Sequence, residues 1–74
     1  MPTLKTRIHE LRKEHHMQQA ELAKLVGVRR ETIGNLENGK YNPSLKLAMD
    51  IAKVFGITVE DIFTFEDDTD KAQG

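Results

Sequence analysis

The residues most able to recognise a nucleic acid stand close together, in "RRETIGN" from Arg29 to Asn35. Arg30, Glu31 and Asn35 share the polar face of a helix whose other face carries Ile33 and Leu36. Arginine can bond bidentately to guanine, asparagine can read adenine, and a carboxylate can accept from cytosine. Arg29 stands at the start of that helix, where its charge can reach a phosphate or a base. Other chemistry is poorly provided for. Cysteine is absent, which removes disulfides, thiolate metal sites and thiol nucleophiles. His15 and His16 are consecutive and cannot share one helix face, and His9 has no ligand partner three or four residues away, so no metal site is expected. No nucleophile triad, phosphate-binding glycine loop or zinc-protease motif occurs, so an enzyme is not expected and no cofactor or small-molecule ligand is implied.

The elements that would position these groups are mostly helical, because apolar residues recur at helical spacing along the chain. Thr6 is a candidate N-cap for a first helix running to about His16. A second helix is expected over about 18–26, closed by Gly27, and a third from near Arg29 to just before Gly39, where "NGKYNP" is rich in turn formers. Ser44 can cap a fourth helix that ends at Gly56. "TVED" has the form of a capping box opening a short fifth. "IFTFE" then alternates as a strand does, with "TLK" near the N-terminus as its expected partner.

Two helices that cross sharply over a short turn need a small residue at the approach, a glycine in the turn and apolar residues to seal the crossing. Ala23, Gly27, Val28, Ile33 and Leu36 supply these in order.

The chain resembles the Cro and phage-repressor type of helix-turn-helix regulators from Thr6 to about Glu66. The likeness is carried by "AELA", "GV", "TI", "LENGKYNPSL" and "EDIF.FEDD", and is strongest to small stand-alone members such as cytolysin-type repressors. The resemblance implies an all-α, five-helix, lambda-repressor-like domain with a small two-stranded antiparallel sheet joining the termini. It also implies double-stranded DNA as partner and homodimers paired through the C-terminal part. Gln19 matches the family's first residue of the second helix, a phosphate ligand, and Gln18 replaces its usual capping Ser or Thr. Thr32, Asn38, Lys40, Tyr41 and Asn42 resemble its DNA-backbone contacts. Glu37 matches an acid that pairs with an arginine of the first helix, here Arg12. Gly34, costly in mid-helix, is either tolerated there passively or lets the backbone approach DNA, the second being the expectation.

Charge and length set the frame. The net charge is −1, yet residues 1–57 hold ten Lys/Arg against six Asp/Glu, and residues 58–74 hold one against six. A basic body with an acidic end keeps a footprint for phosphate. The length predicts one helix-turn-helix and dimerisation domain, residues 1–66, followed by a disordered acidic tail, residues 67–74. No stretch is apolar enough for a membrane helix, so a cytoplasmic protein is expected. In so short a chain some of Met49, Val54, Val59, Ile62, Phe63 and Phe65 are expected to remain exposed as an association surface, with Val59, Ile62, Phe63 and Phe65 forming the dimer contact. Two readings stay open beside a repressor: an antitoxin that represses its own operon, and a protein-interaction module without DNA binding.

Overall fold

The computed structural model describes residues 2–40 and 42–67. In order these form β1 (Pro2–Thr6), α1 (Ile8–Glu14), α2 (Gln19–Val26), α3 (Arg30–Glu37), α4 (Leu45–Phe55), α5 (Val59–Ile62) and β2 (Phe63–Asp67). The five helices and the two-stranded sheet match the expected architecture. The core is the shared apolar face of all five helices, in which Ile8, Leu22, Ile33, Leu36, Ile51 and Ile62 are wholly enclosed. Burying each such side chain stabilises the fold by about 1.5 to 3 kcal/mol relative to leaving it in water.

The strands run antiparallel, with Leu4 opposite Phe65 and Pro2 opposite Asp67. Asp67, expected at the head of the acidic tail, is the last residue of β2. The rest of that tail, residues 68–74, lies outside the described residues, as do Met1 and Tyr41. Thr6 is also claimed by the sheet, so it does not cap α1. Arg7 is the cap residue and makes no side-chain cap bond, while the Thr6 hydroxyl accepts a long bond of 3.4 Å from the Ile8 amide.

Helix α1 stops at Glu14, short of the expected His16. His16 takes a left-handed conformation, φ 54°, which lets the Met17 amide donate back to the Arg12 carbonyl at 2.8 Å. The Arg12 guanidinium then grips the Met17 carbonyl at 2.9 Å, which holds a non-glycine residue in a conformation it disfavours. The later caps follow the sequence. Ser44 accepts from the Leu47 amide, and Thr58 and Asp61 form the reciprocal capping box. Both satisfy amides that a helix start leaves without partners.

Candidate nucleic-acid interface

Helices α2 and α3 are joined by Gly27, Val28 and Arg29. Gly27 has φ 75°, a conformation open to glycine at little cost, and it allows the Val28 amide to donate to the Ala23 carbonyl at 2.9 Å. The chain therefore turns at once into α3. Leu22 and Ala23 of α2 and Ile33 and Leu36 of α3 are buried at the crossing. What faces outward follows from that packing: Arg29, Arg30, Glu31 and Asn35 are all exposed, and they occupy the start and polar side of α3. Arg29 is the N-cap residue and contributes no side-chain cap bond, so its charge is not committed to the helix end. Beyond α3, Asn38, Lys40 and Asn42 are exposed, and Thr32 is half-buried.

Behind this face lies a polar network rooted in the core. Arg12, 6 % exposed, donates through Nε to Glu37 Oε2 at 2.5 Å and through Nη2 to Glu37 Oε1 at 3.1 Å. The same Oε1 accepts from Gln19 Nε2 at 3.0 Å, and the other end of that amide, Oε1, accepts from Arg30 Nη1 at 3.1 Å. A chain of contacts thus runs from the buried guanidinium of Arg12 to the exposed one of Arg30. His9 flanks it, with Nδ1 3.1 Å from Arg12 Nη2 and 3.6 Å from Glu37 Oε1. Burial opposes ionisation of Glu37. The hydrogen bonds from Arg12 and Gln19, with the charges of Arg12 and His9, outweigh burial and hold its carboxyl below the ordinary range.

Two expectations are corrected here. One concerns Gly34, where a Cβ would meet the Gln19 side-chain amide at 3.7 and 3.8 Å, in ordinary contact. The space beside it is filled by the protein's own Gln19, not left open for DNA. The other concerns Ile62, which is 1 % exposed and belongs to the core, so it offers nothing to a second subunit. Val59 and Phe63 are half-buried and Phe65 is 56 % exposed. Exposed apolar surface includes Met49 of α4, as the sequence allows, and extends to Leu45, which carries no signal, being one more apolar residue at helical spacing. Gln18 is the N-cap of α2 and makes no side-chain cap bond. Among the described residues no group of acids and histidines could hold a metal, and no helix is long and apolar enough to cross a membrane.

A short α2, a left-handed turn and an exposed, polar α3 start define a helix-turn-helix fold of the DNA-binding class. The chain belongs to the helix-turn-helix family of Cro and phage-repressor type, whose profile matches residues 8–62. It is 62 % identical, over 88 % of its length and 92 % of the relative, to a protein of Archaeoglobus fulgidus named as an uncharacterised HTH-type transcriptional regulator. An immunity repressor protein of Bacillus phage phi105 is 35 % identical over 81 % of this chain and 42 % of that one. Among solved structures, the restriction-modification controller protein C.AhdI from Aeromonas hydrophila superposes with a TM-score of 0.68 and 33 % identity, covering 74 % of this chain and 83 % of that one. The protein is a transcriptional regulator with a helix-turn-helix DNA-binding fold.

Proposed function

We propose that this regulator binds a pseudo-palindromic operator as a homodimer and represses transcription from it, in the cytoplasm where its DNA would be. The observation that carries the reading is the exposed start of α3, with Arg30 already oriented by Gln19. One guanidinium nitrogen is engaged by that amide, and the rest of the fork remains available to a guanine edge. In this reading Arg29, Glu31 and Asn35 read neighbouring bases. Gln18, Gln19, Thr32, Asn38, Lys40, Tyr41 and Asn42 contact the sugar-phosphate backbone and fix register. The amide end of α2 adds a partial positive charge toward phosphate.

Dimerisation is supported by a groove of about 270 Å³ between the sheet and the start of α4, lined by Leu4, Pro43, Leu45, Val59, Phe63 and Phe65 among others. A second copy covering it would remove that apolar surface from water. A two-fold dimer sets its recognition helices about 34 Å apart, one turn of duplex, so the two half-sites would be related by symmetry. The likeness to a phage immunity repressor supports repression as the outcome of occupancy.

Selection of bound duplexes from a random pool tests the whole reading. The expected product is a symmetric site with half-sites one helical turn apart, and Arg30→Ala is expected to relax preference at one position in each half. Each good bidentate contact discriminates by about 1 to 3 kcal/mol, so the relaxation should be roughly fivefold to 150-fold at that base. Enrichment of no sequence, with binding indifferent to salt, would instead favour a protein-interaction module.

A further inference from the structure

The geometry points to strand β1 as a strut that positions the phosphate-contacting turn after α3, with the Leu4 carbonyl pressed against Gly39. The inference rests on the DNA-binding reading above. Helix α3 ends in a closed turn in which the Gly39 amide donates to the Leu36 carbonyl at 3.0 Å and the Lys40 amide to the Asn35 carbonyl at 2.9 Å. That closure needs the left-handed φ of 69° at Gly39. A Cβ at Gly39 would also lie 2.7 Å from the Leu4 carbonyl oxygen, closer than such atoms approach. Only a residue without a side chain lets the strand come this near.

Leu4 cannot easily retreat. Its side chain is 6 % exposed, and its backbone is paired opposite Phe65 in the sheet. The residues on either side of Gly39, Asn38 and Lys40, are exposed, and in the proposed complex they face the phosphates. Their placement is therefore set from behind by the strand, whereas the Arg30 side chain is held by Gln19. Two different supports would thus serve two kinds of contact, one for register and one for sequence.

The test is the salt dependence of duplex affinity in Gly39→Ala and Gly39→Asn, with Gly56→Ala as the control. Gly56 shares the left-handed φ, at 70°, but a Cβ there meets nothing within 4 Å, so it carries the strain with no strand pressed against it. Asparagine tolerates left-handed backbone better than alanine and keeps the fold within reach, while still placing a Cβ against Leu4. Both Gly39 variants are expected to lose roughly tenfold in affinity on the selected operator and on random duplex alike, with base preference retained. The log-log salt slope should become shallower by about 0.9 for each phosphate no longer neutralised. Added to Lys40→Ala, the Gly39→Asn change should cost little more, because both act on the same phosphate. Gly56→Ala should keep the full slope. An unchanged slope in Gly39→Asn, or a loss that adds in full to that of Lys40→Ala, would overturn the strut. Failure of the unaltered protein to show any salt-dependent duplex binding would instead overturn the DNA-binding reading beneath it.

Discussion

Glu37 is the residue at which the core and the outward face of α3 meet. Its side chain is 7 % exposed, and one oxygen serves both Arg12 and Gln19. Removing one member of a buried, hydrogen-bonded ion pair typically costs about 3 to 5 kcal/mol, because the other is left charged without a partner. Glu37→Gln is therefore expected to lower unfolding free energy by about that amount near neutral pH, as measured by urea titration. The pH dependence has a definite sign. A carboxyl whose folded pKa lies below its unfolded value contributes stability that is complete above the unfolded value, here 4.5, and is lost as pH falls through the folded one. The gap between the unaltered protein and Glu37→Gln should thus narrow in acid, and a gap constant with pH would show that ionisation of Glu37 contributes nothing. Much of this site was legible in the sequence. Arg30, Glu31 and Asn35 lie on the polar side of an amphipathic helix, and period alone turns them outward. The bonds of Gln19 to Glu37 and Arg30 were not legible, because a single polar contact between distant residues leaves no period to detect. The place of His9 beside the ion pair leaves no mark in the sequence for the same reason.

The starts of α4 and α5 and the ends of α2 and α4 fall where local chemistry sets them, whereas neither end of α1 does. Ser44, Thr58, Gly27 and Gly56 each announced a boundary that the structure keeps, since capping depends on neighbours along the chain. Thr6 announced one that it does not keep, because β2 arrives from the far end of the sequence and draws Thr6 into a strand opposite Phe63. The close of α1 was hidden because the left-handed position falls on His16, where a glycine would have marked it. A side chain there costs roughly 1 to 2 kcal/mol, and glycine gives back part of that as unfolded-state entropy. His16→Gly is accordingly expected to stabilise the protein by up to about 1 kcal/mol, a rise in melting temperature of roughly 4 to 8 °C per kcal/mol for a domain of this size. A lower melting temperature would mean that the imidazole makes contacts worth more than the strain it imposes.

On the scale of the whole molecule, the large exposed apolar residues other than Leu25 of α2 lie on α4 and the sheet. Leu45 is 73 % exposed, Met49 47 % and Phe65 56 %, and Leu45 and Phe65 line the same groove. A charge placed at its rim should oppose burial by a second copy, so Phe65→Asp is expected to shift sedimentation toward the monomer while leaving the helical circular dichroism intact. An unchanged sedimentation coefficient would move the association surface elsewhere. The sequence could indicate that the C-terminal region holds more apolar residues than one small core needs. It could not say which would turn inward, and Ile62 fell on the other side of that division from Phe65. The sheet itself bears on how the protein is made. Its first strand, Pro2–Thr6, pairs only with the last described element, so during translation that strand waits with an unsatisfied edge until residue 67 has cleared the ribosome. A nascent chain could assemble its helices early, yet the domain would be complete only once β2 had emerged to pair with β1.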